Sequence, residues 1–118
     1  MVTRLLTDSE FKSLLAGAGK VENITGKEAV LSPGGVIDIA PYVRAVPAAD
    51  LDGYTTHEEL LVEVVYRTSN GPFDFVHVMT KRKNVYLVVV VDVTRNRIHG
   101  HRLLDLNAEY GFDAANDA

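Results

Sequence analysis

Apolar and polar positions change period along this chain, and the change divides it into two parts. Near the start, Phe11, Leu14 and Leu15 recur at helical spacing behind Thr7-Asp8-Ser9-Glu10, which reads as a capping box. Leu6 and Phe11 stand where a hydrophobic staple requires them, so the spacing predicts a helix starting at residue 7 or 8. It is short, about three turns at ~3.6 residues each, and Gly17 or Gly19 offers the positive-φ position at which it ends.

From residue 21 to 58 the chain is punctuated by Gly26, Ser32-Pro33-Gly34-Gly35, Pro41 and Pro47. The alternating runs between them, Ala29-Val30-Leu31 and Val36-Ile37-Asp38-Ile39, predict two or three short strands, with a turn at Pro33-Gly34. Pro41 and Pro47 are expected to confine their segments to edges or loops. Residues 48–58 read as a loop with one helical turn.

The second half keeps a period of two. Four β-rich runs, at residues 59–68, 73–80, 85–94 and 97–104, are separated by compact turns, and Asn70-Gly71 suits a two-residue hairpin because both residues tolerate φ > 0. Propagating the register from that turn places Arg67 opposite Asp74, Tyr66 opposite Phe75 and Val64 opposite His77. A four-residue loop at 81–84 then sets Phe75 against Val90 and His77 against Val88. An even-numbered last loop puts Asp92 opposite His99 or His101; an odd one moves both histidines to the other face.

Two sheet faces follow. One carries Leu61, Val65, Val76, Val78, Leu87, Val89, Val91, Val93 and Ile98, an aliphatic surface suited to the N-terminal helix. The other carries Leu60, Val62, Val64, Tyr66, Phe73, Phe75, His77, Met79, Tyr86, Val88, Val90, Asp92, His99 and His101. A sheet apolar on both sides must be covered on both, and one short helix covers one. The second cover is then the 21–58 segment, the turn near residues 107–112, a second copy of the chain, or a partner. The expected fold class is α+β: a short N-terminal helix packed on a mainly antiparallel sheet, with a meander of four C-terminal strands plus short N-terminal strands. One domain spans 1–112, and the acidic tail 113–118 is expected to be disordered.

Composition narrows the function classes. The chain has 118 residues, 47% of them apolar, which suffices for one core. It has no cysteine, which excludes disulfides, thiolate nucleophiles and Cys-type zinc sites and fits a cytoplasmic address. No signal peptide is visible, and the apolar run from Tyr86 to Val91 is far short of the ~20 residues a membrane span needs. The net charge of −4 and pI of about 5.5 argue against a nucleic-acid coat protein. Residues 77–102 hold Lys81, Arg82, Lys83, Arg95, Arg97 and Arg102 against Asp92 alone. In a meander these fall at opposite ends of strands ~30 Å long, so they read as charged hairpin tips rather than one groove.

Candidate chemistry centres on His99-Gly100-His101, opposite Asp92 and sharing a face with His77. A carboxylate that orients an imidazole serves acid-base catalysis, and nearby Arg102, Arg97 and Lys81 could stabilise a phosphate. Metal ligation is disfavoured, because His77 and His101 lie roughly 10 Å apart across two strand spacings; no metal or cofactor is expected. Asp50-Leu51-Asp52 and Glu58-Glu59 read as solvated loop charges. Ser32-Pro33-Gly34-Gly35 lacks the Lys-Ser/Thr of a phosphate loop. The first functional expectation is a non-enzymatic protein-binding or self-associating domain, a homodimer or the binder of a protein partner, acting through Tyr66, Phe75, His77, Tyr86 and Val88. The alternative is a small metal-independent hydrolase or nuclease-like enzyme using His99 and His101 with Asp92.

Overall fold

The computed structural model describes residues 2–21, 29–32, 35–68 and 73–110. In chain order the elements are α1 (Asp8–Leu15), β1 (Ala18–Val21), β2 (Ala29–Ser32), β3 (Gly35–Asp38), α2 (Ala40–Ala45), a 3-10 turn (Ala48–Leu51), β4 (Val62–Thr68), β5 (Phe73–Met79), β6 (Val85–Asp92), β7 (Arg97–Asp105) and α3 (Leu106–Tyr110). The fold is α+β. Strands β4 to β7 form an antiparallel meander, β1 pairs with β4 at one edge, and β2 and β3 pair with each other.

Local chemistry explains the first helix. Thr7 accepts from the Glu10 N–H at 3.1 Å, while the Glu10 carboxylate turns to Arg4 instead of closing the box on the Thr7 backbone. Leu6 and Phe11 are both buried in one cluster, as a staple requires. The helix ends without a glycine in the left-handed region: Ala16 is its C-cap with right-handed angles, and Gly17 has no positive φ. Pro41 is likewise not a breaker. It sits in the first turn of α2, where its missing N–H costs no helical hydrogen bond.

The meander's register is set by side-chain pairing. Arg67 faces Asp74, Tyr66 faces Phe75, Val64 faces His77, Phe75 faces Val90 and His77 faces Val88. The Asp74 carboxylate is fully buried and takes a two-pronged ion pair from Arg67, at 2.6 and 2.8 Å, which compensates its desolvation. Asn84 and Asn96 adopt positive φ in the turns after β5 and β6, a conformation asparagine tolerates. Asn70-Gly71, Pro33-Gly34 and the tail from residue 111 lie outside the described residues.

The two faces are covered the opposite way round from expectation. Val65, Val76, Val78, Leu87, Val89 and Val91 pack under α2 and its flanks, through Ile39, Tyr42, Val43 and Val46, and Leu60 and Val62 join them rather than the aromatic face because the register shifts between Val62 and Val64. The first helix lies on the aromatic face, where Leu6 and Phe11 bury Phe75, Val88 and Val90. Phe11 meets Phe75 edge-on with ring centroids 6.1 Å apart, a favourable aromatic geometry. The physical reason is fit: an aromatic staple matches an aromatic floor, and a second helix with small and β-branched side chains is available for the valine surface.

Candidate functional site

The structure does not bring His99, His101 and Asp92 together as one set: His99 stays within electrostatic reach of Asp92, and His101 leaves them. The β6–β7 loop is even-numbered, with Asp92 opposite Arg97, but the register shifts between Val90 and Val91, so that Val91 faces Ile98 and Val90 faces Gly100. His99 is the extra residue of this bulge. His101 therefore lands opposite Val89, on the aliphatic face, while His99 stays beside Phe73 with ring centroids 4.9 Å apart. The Asp92 carboxylate is consumed by its own turn, accepting from Thr94 Oγ1 at 3.0 Å and the Arg95 N–H at 3.2 Å. Burial raises its pKa, and those hydrogen bonds with the Arg95 charge outweigh burial and hold it below the ordinary carboxylate value. Burial, then the nearby Arg4 charge, lower the His99 pKa.

A close approach of backbones accompanies the bulge. Residues 4–6 run along the outer edge of β7: the Leu6 N–H donates to the His101 carbonyl and the His101 N–H to the Arg4 carbonyl, each at 2.9 Å. A Cβ on Gly100 would lie 2.6 Å from Leu6 Cδ2 and 2.9 Å from the Arg4 carbonyl oxygen. Only glycine leaves room there.

His101 enters a closed network. Its Nε2 donates to Asp50 at 2.8 Å, since the carboxylate can only accept, and its Nδ1 accepts from the Tyr42 hydroxyl at 2.7 Å. The same hydroxyl accepts from the Arg4 N–H at 3.0 Å. Tyr42 and His101 are buried, and burial raises the tyrosine pKa. Both ring nitrogens and the hydroxyl are engaged, so the arrangement ties the N-terminal segment, α2, the 3-10 turn and β7 together. Tyr42 and Asp50 carry no sequence signal for this role, and Asp50 is not the solvated loop charge its neighbours imply.

The expected binding residues divide. Phe75 and Val88 are fully buried beneath α1, whereas Tyr66, His77 and Tyr86 line an open groove of about 520 Å³. Its floor includes Val64, its walls are Leu15 from α1 and Leu104 and Leu106 from β7 and α3, and Glu63 joins it from a bulge in β4. The three rings form a row across β4, β5 and β6: His77 lies 5.1 Å from Tyr66 and 5.8 Å from Tyr86, both edge-on. His77 Nδ1 donates to the Phe75 carbonyl at 3.0 Å, which directs its lone pair to Nε2. Burial lowers the His77 pKa and keeps the imidazole neutral at pH 7. Burial and the nearby Glu63 carboxylate push the Tyr86 hydroxyl up to about 12. Glu63 and the two leucines after residue 103 were not legible as site residues.

Among the described residues no cluster of three or more His, Cys, Asp or Glu could hold a metal ion, and no helix is long and apolar enough to cross a membrane. Fold and site together define an α+β domain with an aromatic groove half roofed by its first helix. Compared with known proteins, the chain matches no family model, no curated protein and no solved structure.

Proposed function

We propose that this is a non-enzymatic binding domain that takes a segment of a partner protein into the Tyr66–His77–Tyr86 groove. One observation carries the reading. The first helix buries Phe75 and Val88 and leaves the neighbouring tyrosines and His77 lining an open groove. Half-buried tyrosines offer a large rigid contact area with a polar tip, the pairing that interfaces favour. A groove of about 520 Å³ suits a side chain or short segment better than the flat face of a second sheet, which favours a partner segment over self-association. No comparable observation favours the hydrolase reading, because His99 and His101 face opposite sides and Asp92 serves its turn.

The test is a random 12-residue peptide library panned on the folded protein and counter-selected on a Tyr86→Asp variant. The expected result is an enriched consensus whose members bind the wild type at least tenfold more tightly than the variant. Circular dichroism shows whether the variant is folded, and Tyr66→Ala serves in its place if it is not. No enrichment, or equal binding to folded variants, would overturn the reading.

A further inference from the structure

We propose that the groove anchors a lysine or arginine side chain of the partner protein, its cationic head between Tyr66 and Tyr86 beside Glu63 and its methylene stem along Leu15, Leu104 and Leu106. The inference rests on the binding reading and names the chemistry of its central contact.

Charge comes first. Among the described residues lining the groove there is one carboxylate, Glu63, and there is no lysine or arginine. The other titratable groups facing the guest position are the His77 imidazole from β5 and the hydroxyls of Tyr66 on β4 and Tyr86 on β6. At neutral pH none of these contributes a positive charge, so the groove is electronegative, with the exposed Glu63 carboxylate beside half-buried tyrosines.

Ring geometry adds to it. Both tyrosine centroids lie within 5.8 Å of the imidazole, so two electron-rich rings flank His77 in the groove. An ammonium or guanidinium within about 6 Å of a tyrosine centroid is attracted by the ring quadrupole, and the attraction grows when water is excluded. Tyr66, Tyr86 and Glu63 line the same groove, so both rings and the carboxylate are available to one guest.

The walls choose the kind of cation. A small ammonium would leave most of the roughly 520 Å³ and all three leucines unused. Lysine and arginine carry three or four methylenes that pack on apolar walls while the charged head stays at a polar rim. Both features of the groove are then satisfied by one side chain.

The experiment titrates the protein with N-acetyl-lysine methylamide, N-acetyl-arginine methylamide and the uncharged N-acetyl-norleucine methylamide, followed by NMR. The expected result is saturable shifts of Tyr66, His77, Tyr86 and Glu63 with the two cationic probes. These probes should bind about fivefold or more tightly than norleucine, as a cation–π contact plus an ion pair would give. Glu63→Gln, an exposed position expected to fold, should remove most of that preference and leave norleucine binding unchanged. Equal binding of all three probes, or none, overturns the inference; if panned peptides still bind without a basic consensus position, the groove reading survives it. A protein that is dimeric, and whose dimer is lost in Lys81→Gln or Lys83→Gln, gives the groove to a second copy and overturns the assignment to another chain.

Discussion

The Tyr42 hydroxyl lies 2.7 Å from Nδ1 of His101, and neither side chain is more than 4% exposed. Two elements far apart in sequence are joined through one buried proton, and the imidazole passes the connection on to Asp50. Replacing Tyr42 with Phe keeps the ring and deletes the hydroxyl, leaving Nδ1 and the Arg4 N–H without that partner. The expected cost is about 1–3 kcal/mol, the desolvation penalty of an unmatched buried polar group. Urea unfolding should show a lower midpoint with an unchanged slope; an unchanged midpoint would mean that water replaces the hydroxyl without loss.

Gly100→Ala tests the close approach at β7. Its Cβ would meet the Arg4 carbonyl, a backbone atom that cannot rotate aside, so the N-terminal segment must leave the strand edge. A loss of about 1–3 kcal/mol is expected, typical of overpacking. Gly17→Ala is the control, because a Cβ there meets nothing within 4 Å and no positive φ is required. It should be neutral or slightly stabilising. Comparable losses at both glycines would contradict the steric account.

Phe11→Ala removes the aromatic lid over Phe75. Truncating a buried phenylalanine costs about 3–5 kcal/mol, and here the loss also uncovers Val88 and Val90 on the sheet. Thermal unfolding measured against Phe11→Leu, which keeps most of the volume, should rank the alanine variant clearly lower. Similar midpoints for the two would show that the helix contributes little to covering this face.

The same residues show what was readable in advance. Registers from β4 to β6 followed from reading Asn70-Gly71 as a two-residue turn and 81–84 as a four-residue loop, with strict alternation between them, because the bulge at Glu63 lies beyond the pairs used. The side taken by His101 did not follow. It depends on a bulge beside the contact with residues 4–6, nearly a hundred residues earlier in the chain, and a glycine between two histidines was its only local trace. The first helix was placed in sequence but not in space, since an amphipathic stripe states that a helix needs an apolar face without saying which. Tyr42 and Asp50 were invisible as partners for a similar reason: nothing local marks a contact made through tertiary packing.

His77 makes the stability of the fold depend on pH. Burial lowers its pKa from the ordinary 6.5, while the Phe75 carbonyl and the Glu63 charge oppose that shift without cancelling it. The groups around it are Glu63 and Tyr66 on β4 and Tyr86 on β6. Below pH 6.5 the unfolded chain binds a proton that the folded chain resists, so protonation favours unfolding. The stability contribution is fully present above pH 6.5 and is lost progressively as the pH falls toward the lowered folded value. His99 shifts in the same direction and adds to the slope, whereas Asp92, with its carboxyl held low, acts only at more acidic pH. Urea midpoints should therefore fall between pH 7 and pH 5. His77→Phe should start lower at pH 7, having lost the hydrogen bond to the Phe75 carbonyl, yet decline less steeply. An equal slope in both proteins would show that His77 takes up its proton in the folded state as readily as in the unfolded one, and the groove would then carry a positive charge below neutral pH.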